Sequence, residues 1–207
     1  MQLLANPTSP YVRIARVAMI EKGLLIEPTM VDAWADDPRL RAANAATRVP
    51  TLITDDGTPI AESLLIVQWL EQTRPAPDWP SLIGADVTGV VSRAGMALGV
   101  IDAAVHTIIT RKSTAPVLFD ETPIGLRRQR SMAEGMQRLE VIAADRMPIA
   151  GIAGGGAPTL DAICAVVAID YLRFRFASAA WMTAMPALDA LSQALNLRTS
   201  FAQTSPH

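Results

Sequence analysis

A proline-rich segment divides this chain into two parts with different hydrophobic patterns. Arg74–Pro80 carries three prolines in seven residues, and proline interrupts both helices and strands. Before it, short apolar runs of strand type alternate with helical patterns. Beyond it, helical periodicity covers residues 87–112, 122–146, 159–178 and 184–195. We therefore predict an α/β domain over 1–75, a linker over 76–86 and an all-helical domain over 87–207.

Within the first part, turn and cap residues predict where the elements begin and end. Pro10 suits the first position of a helix, Gly23 ends that helix, and Asp56-Gly57 is a hairpin turn. The predicted strands are residues 1–5, 24–31, 49–54 and 59–61. A short helix is expected within 34–46, and a longer one begins at Ser63. The order is strand, helix, strand, short helix, hairpin, helix.

Composition and charge exclude several classes of function. The 207 residues carry a formal net charge of -2 without a basic block, so nothing predicts nucleic-acid binding. Cys164 lies in an apolar run and is expected to be an inert core thiol. With only His106 and His207 as histidines, no metal site is expected. The start resembles no signal peptide and no apolar run of about 20 residues appears, which predicts a cytoplasmic protein without membrane contact.

Glycines at 151 and 154–156 do not form a phosphate-binding motif. The run lacks the Gly-Lys-Ser/Thr ending of such a loop, and we predict a connection between helices. Thr159 is the expected N-cap of the next helix, and Asp161 lies in its first turn, where negative charge suits the helix dipole.

Ser9-Pro10 is the first of three motifs that could carry chemistry. A hydroxyl at a helix start lies beside unpaired backbone N–H groups, which favour negative charge. This arrangement suits a bound thiolate, although an ordinary N-cap serine has the same sequence. Ser9 is favoured over its neighbour Thr8 because it directly precedes the helix-starting proline.

The second motif is Val49-Pro50 at the start of a predicted strand. A proline there limits pairing to an edge or a bend. If the bond is cis, the backbone N–H and C=O of Val49 are open to an extended peptide that adds as a strand. A trans proline that merely starts the strand is the alternative, since cis X–Pro bonds are a minority of roughly 5–6%.

The third motif is Glu62-Ser63 before an apolar helix. The N–H and hydroxyl of Ser63 can hold a carboxylate at the helix N-terminus, and Glu62 can accept an ammonium group beside it. Together they fit the free amino-acid end of a peptide. The alternative is a simple capped helix that binds no ligand.

In order and spacing, the motifs that begin at Ser9, Arg48 and Glu62 resemble the glutathione transferases, most closely bacterial members with an active-site serine. The linker and the helical remainder also fit. The resemblance implies a thioredoxin-like first domain and an all-α second domain. It further implies glutathione as co-substrate without a metal, a homodimer and a role in detoxification.

The resemblance also assigns roles to individual residues. Ser9 would donate a hydrogen bond to the glutathione sulfur and favour the thiolate. Val49, beside a cis Pro50, would pair with the cysteinyl backbone. Glu62 and Ser63 would hold the γ-glutamyl end.

Two further glutathione contacts follow less directly from the resemblance. Arg48 could hold the glycyl carboxylate, and Trp34 could wall the same end of the pocket. Relatives usually read Asn-Pro-x-Gly-Lys before the Val-Pro pair, whereas this chain has Asn44–Arg48 without the proline and glycine. The backbone there is therefore expected to run differently.

The electrophile would bind beside the first long helix of the second domain. Candidate lining residues are Tyr11, Leu98, Ile101, Asp102, Val105 and His106. Arg13 could lie near the pocket mouth, although with Arg16 it better fits a solvated helix face.

We expect conjugation of the glutathione thiolate to a small apolar electrophile. Glutathione-dependent isomerisation or reduction and a non-catalytic interaction module are the alternatives. Glutaredoxins often have Cys-Pro-Tyr-Cys where this chain has Ser9–Val12, so dithiol exchange is excluded at this position.

Overall fold

The computed structural model describes residues 1–116, 118–147 and 155–206. The chain divides into two compact units, one formed by Met1–Leu82 with Arg198–His207 and the other by Ile83–Leu197. Most of the predicted glycine connection and the terminal His207 lie outside the described residues.

A four-stranded sheet, three helices from Met1–Leu82 and a short helix from the C-terminal segment form the first unit. The strands are β1 (Gln2–Ala5), β2 (Thr29–Met30), β3 (Thr51–Ile53) and β4 (Pro59–Ala61). The helices are α1 (Pro10–Glu21), α2 (Pro38–Ala43) and α3 (Ser63–Thr73). The spatial order is β2-β1-β3-β4; β2 runs parallel to β1, and β3 is antiparallel to both β1 and β4. This is the predicted thioredoxin-like arrangement.

The second strand is shorter than the pattern over 24–31 predicted. Only Thr29 and Met30 pair with β1. Pro28 precedes them and has no N–H to donate to a ladder, which limits how far the pairing extends toward the N-terminus.

The end of α3 packs onto the end of α1 by way of a buried ion pair. The Lys22 side chain is fully buried, with Nζ 2.7 Å from Glu71 Oε1 and 2.9 Å from the Arg74 carbonyl. Glu71 also accepts hydrogen bonds from Ser81 Oγ and Leu82 N–H. The beginning of the predicted linker over 76–86 is therefore part of the first unit.

Gly23 lets Trp79 approach the end of α1. Gly23 has φ +69°, and a Cβ there would lie 2.1 Å from Cζ3 of Trp79. We expect Gly23→Ala to lower the free energy of unfolding by at least about 2 kcal/mol, because backbone strain adds to overpacking. Urea denaturation measures this change.

Gly57 provides the matched control. It has φ +84°, and a Cβ there would meet no atom within 4 Å, so Gly57→Ala carries the backbone strain without the overlap. Its expected cost is about 1 kcal/mol. Equal losses in the two variants would contradict a packing role for Trp79.

The second unit is helical, as predicted. Its helices are α4 (Val87–Thr114), α5 (Pro123–Arg146), α6 (Leu160–Phe176) and α7 (Pro186–Asn196), with a 3₁₀ turn at Phe119–Glu121. α6 packs between α4 and α7 and is buried along most of its length. Cys164 lies on it, fully buried, and burial raises the pKa of its thiol. The thiol is thus inert, as expected.

The start of α6 is held by an ion pair and not by the expected cap. Thr159 occupies the N-cap position without a side-chain hydrogen bond. The buried carboxylate of Asp161 instead lies 2.6 Å from Nε of Arg93 on α4. The Arg93 guanidinium also reaches Asp86, at 3.1 Å.

By length and apolar composition alone, α4 could cross a membrane, although the sequence pattern predicted no span. Core helices of soluble domains meet the same criterion, and α4 packs against α5 and α6.

The C-terminal segment returns to the first unit, where the prediction assigned 87–207 to the second. It forms the short helix α8 (Thr199–Ala202). Nε and Nη2 of Arg198 lie 2.9 and 2.7 Å from the Glu21 carboxylate, which also accepts from Ser200 Oγ at 2.5 Å. Fully buried Phe201 lies 5.8 Å below the Arg13 guanidinium. Arg13 is buried, so the predicted solvated face was wrong for this residue.

Candidate active site

The strand register brings the three motifs to one end of the sheet. Thr51 of β3 pairs with Leu4 of β1 on one side and with Ala61 of β4 on the other. Because both pairings are antiparallel, the end of β1, the start of β3 and the end of β4 are neighbours. Ser9, Val49-Pro50 and Glu62-Ser63 occupy the segments that continue from these three ends.

Ser9 forms the N-cap of α1. Its backbone is extended, with φ -79° and ψ 122°, and its Oγ accepts a hydrogen bond from Val12 N–H at 3.3 Å. Its own N–H donates to the Asn6 carbonyl at 3.2 Å, which fixes the turn after β1. A hydroxyl that accepts from the helix still carries its own proton, which it can donate to an anion at the positive end of the dipole.

Thr8 differs from Ser9 in what its hydroxyl already does. Thr8 Oγ1 donates to Asn6 Oδ1 at 3.0 Å, and Thr8 N–H reaches the same oxygen at 3.1 Å. The only hydroxyl proton of Thr8 is thereby used inside the loop. This geometry favours Ser9 as donor to a ligand.

The Val49–Pro50 peptide bond is cis, as the resemblance implied. Pro50 is buried and Val49 is half-buried at the start of β3. The carbonyl of Arg48 accepts from Thr51 Oγ1 at 2.8 Å and from Asn44 Nδ2 at 3.2 Å. These bonds hold the turn that presents the Val49 backbone.

The loop before this turn folds without the glycine found in relatives. Thr47 takes φ +51°, a left-handed conformation that costs a β-branched residue roughly 1–2 kcal/mol. Its N–H donates to the Asn44 carbonyl at 2.8 Å. The departure noted in Asn44–Arg48 therefore changes the residue at this position but leaves the loop a tight turn.

Glu62 is held in an unusual backbone conformation directly before α3. It has φ +72° and ψ 129°, and its carbonyl accepts from Ile66 N–H at 3.0 Å to start the helix. Left-handed non-glycine residues often occur at ligand sites, where the surrounding structure compensates the strain. The neighbouring Ser63 is buried at the first position of α3.

Arg48 meets Glu62 across the hairpin. Arg48 Nε lies 3.3 Å from Glu62 Oε1, and both side chains are about half exposed. The sequence indicated each residue separately but not this pair, because only the pairing of β3 with β4 brings them together. In this arrangement Arg48 positions the Glu62 carboxylate, while its predicted contact with a glycyl carboxylate stays a prediction.

The remaining predicted residues lie in separate places. Trp34 lies between β2 and α2 with 66% of its surface exposed, and its backbone N–H donates to Asp32 Oδ1 at 2.8 Å. Its place in a pocket wall stays a prediction. Within the described residues, no group of three or more His, Cys, Asp or Glu side chains could hold a metal ion.

The residues predicted to line the electrophile pocket belong to both units. Tyr11 is half-buried in the first turn of α1. On α4, Asp102 and His106 are exposed, whereas Leu98 and Val105 are partly buried. Ile101 is fully buried, which argues against its direct contact with a substrate.

Together these features define the class of protein: a thioredoxin-like unit with a serine-capped helix and a cis-proline, followed by a helical unit. Residues 3–78 match the family model described as the glutathione S-transferase N-terminal domain. Over 206 residues the chain is 26% identical to the GST-like protein YibF of Escherichia coli and covers 98% of it.

Solved structures are similar over the whole chain. A glutathione S-transferase of Methylobacterium radiotolerans, crystallised with glutathione sulfonate, shares 28% identity with a TM-score of 0.84 and is covered over 94% of its length. One from Methylobacillus flagellatus with bound glutathione shares 26% identity with a TM-score of 0.81, at 99% coverage. Both comparisons cover 100% of this chain. The first unit therefore matches the N-terminal domain of the glutathione S-transferases, and the whole chain is similar to proteins of that family.

Proposed function

We propose that this protein is a glutathione transferase that joins the glutathione thiolate to a small apolar electrophile. The observation that carries the proposal is Ser9 at the start of α1. Its Oγ is fixed by the Val12 N–H, so its proton is available to a sulfur anion. The helix N-terminus adds a partial positive charge, and both effects raise the thiolate fraction at neutral pH.

Peptide binding follows from the other two motifs. The open backbone of Val49 can pair with an extended peptide as a further strand, with Pro50 cis beside it. Glu62 can accept the ammonium group of the γ-glutamyl end, and Ser63 at the start of α3 can hold its carboxylate. One ligand with a thiol, a peptide backbone and a free amino-acid end satisfies all three segments.

The direct test combines binding with turnover. Isothermal titration with glutathione and conjugation of a chlorodinitrobenzene-type probe, followed by absorbance, are expected to be positive with the full chain. Binding without conjugation but with turnover of an isomerase or disulfide-reduction substrate would replace the proposed reaction by one of those two. Binding without any turnover would support a non-catalytic module, and absence of binding would contradict the proposal.

Glu62→Gln should act on glutathione affinity more than on the chemical step. The substitution keeps the shape of the side chain and removes the charge that pairs with the ligand ammonium. Charge-assisted hydrogen bonds are worth about 1.5–3 kcal/mol, and partial exposure reduces this at Glu62. We expect KM for glutathione to rise roughly tenfold with kcat within about twofold, measured by initial rates.

Glu27→Gln is the matched control for this change. Glu27 is exposed and precedes β2, and because β2 is parallel to β1 it lies at the opposite end of the sheet. The KM of this variant for glutathione should stay within about twofold of the KM of the unsubstituted protein. An unchanged KM in Glu62→Gln would remove Glu62 from the ligand site.

We also propose a homodimer in the cytoplasm and a role in detoxification. Leu64 and Leu65 on α3 and Val87 and Val91 on α4 are exposed apolar side chains, which supports burial against a second copy. A light-scattering mass of one chain would contradict the dimer. Recovery of the protein in a secreted fraction would contradict the location.

A further inference from the structure

The beginning of α5 presents an exposed surface that combines aliphatic and cationic side chains. Leu118 before the helix is 65% exposed, and Ile124 and Leu126 in its first turn are 63% and 54% exposed. Arg127 and Arg130 are also exposed. We call the surface made by these five residues the α5 face.

The spacing along the helix places these groups side by side. Arg127 follows Ile124 by three positions and Arg130 follows Leu126 by four, and such pairs are neighbours on a helix surface. The two aliphatic side chains therefore flank the two guanidinium groups. Binding to an anionic lipid surface combines electrostatic attraction with buried apolar area, and the α5 face offers arginines with an aliphatic side chain on either side.

Charge on the α5 face is unbalanced inside the protein. Of the three acidic residues between 118 and 134, Asp120 is paired with Arg111, which leaves Glu121 and Glu134 beside three arginines. The ion pairs among the described residues do not involve Arg127, Arg128 or Arg130.

The helix dipole adds to this imbalance. α5 has no acidic residue in its first turn, and the positive end of the dipole disfavours nearby cations. The three arginines in the first two turns therefore outnumber the nearby carboxylates Glu121 and Glu134. An external anion would complement both the arginines and the helix end.

We propose that the α5 face binds the surface of a membrane that contains anionic phospholipid. The arginines would contact lipid phosphates, while Ile124 and Leu126 at the two edges of the face would add apolar contacts with the lipid surface. We predicted no membrane contact because the sequence has no apolar run long enough to span a bilayer. A helix that lies on the membrane surface does not need such a run. Nucleic acid fits less well, because the face offers aliphatic side chains and no aromatic ring for stacking.

Vesicle sedimentation with the full chain tests the proposal. The protein is expected to pellet with vesicles of phosphatidylcholine and phosphatidylglycerol at about 50 mM salt, and to stay soluble with phosphatidylcholine alone. Binding should weaken as salt screens the charges. A basic residue near such a surface contributes a factor of about five, so Arg127→Glu with Arg130→Glu should lower partitioning at least about 25-fold.

Two further variants separate the α5 face from general charge. Arg138→Glu makes one such charge reversal on an exposed residue of α5 beyond the aliphatic pair, and should retain most of the binding, whereas Arg127→Glu alone should lower it at least about fivefold. Leu126→Asn should weaken binding with all charges kept. Melting curves check that each variant is folded. The proposal would be overturned if the protein did not pellet with anionic vesicles, or if the double variant pelleted as well as the unsubstituted protein. It would also be overturned if duplex DNA displaced the protein as effectively as free anionic vesicles do.

Discussion

Ser9→Ala is expected to reduce kcat/KM for conjugation roughly 10- to 100-fold at pH 7. The hydroxyl donates to a charged sulfur, and hydrogen bonds to charged groups are worth about 1.5–3 kcal/mol. One pKa unit corresponds to about 1.36 kcal/mol. Loss of the hydroxyl should therefore raise the pKa of the bound thiol by about 1–2 units, which shifts the rising limb of the pH–rate profile to higher pH by the same amount. Activity should therefore recover partly at alkaline pH, and initial rates between pH 6 and 10 measure both effects.

Thr8→Ala is the matched control, since it removes a neighbouring hydroxyl whose proton is committed to Asn6. It should change kcat/KM by less than about fivefold and leave the pH profile in place. The reverse pattern, with Thr8→Ala inactive and Ser9→Ala active, would move the catalytic role to Thr8. A lower rate in Ser9→Ala without a change in the pH profile would contradict thiolate stabilisation and leave Ser9 as a helix cap.

Glu71→Ala is expected to lower the free energy of unfolding by about 3–5 kcal/mol, because it leaves the buried ammonium of Lys22 without its counter-charge. The substitution also removes the acceptor of Ser81 and Leu82. Urea denaturation at pH 7, followed by circular dichroism, measures the change.

Arg41→Ala provides the control for this ion pair. It breaks a pair with Asp36 in which both side chains are more than 60% exposed, and such surface pairs contribute about 0–1 kcal/mol. Comparable losses in Glu71→Ala and Arg41→Ala would show that burial of the Lys22–Glu71 pair adds nothing to stability.

The same ion pair predicts how stability depends on pH. Burial raises the pKa of Glu71, but the hydrogen bonds from Lys22, Leu82 N–H and Ser81 outweigh it and hold the pKa below its ordinary 4.5. A depressed carboxyl pKa stabilises the fold above the unfolded pKa and loses this contribution as pH falls through the folded pKa. The stabilisation is therefore complete at neutral pH and lost below about 4.5. Glu71→Gln should flatten this acid limb.

Local patterns sufficed to predict the order of elements in the first unit. The three motifs could also be found from sequence, because each depends on residues that are adjacent in the chain, such as the cap Ser9 before Pro10. Helix ends in the second unit fell within two residues of the prediction for α5 and α6, since their hydrophobic periodicity is long and regular.

Pairs that are distant in sequence could not be predicted in the same way. Lys22 looks like an exposed residue at a helix end, and only the packing of α3 against α1 brings it to Glu71. Arg48 and Glu62 need the β3–β4 register to meet. Arg13 fits a solvated face until Phe201 covers it, and nothing near Arg13 in sequence signals a residue so far along the chain.

The return of Arg198–Thr204 to α1 has a consequence for biosynthesis. Ile83–Leu197 is made between the two parts of the first unit, which at 5–20 residues per second takes on the order of ten seconds. During that interval the nascent chain carries α1 with Glu21 and Arg13 still uncovered. The contacts of Arg198–Thr204 with α1 can therefore form only after this segment has left the ribosome, and chaperones can reach the uncovered side chains until then.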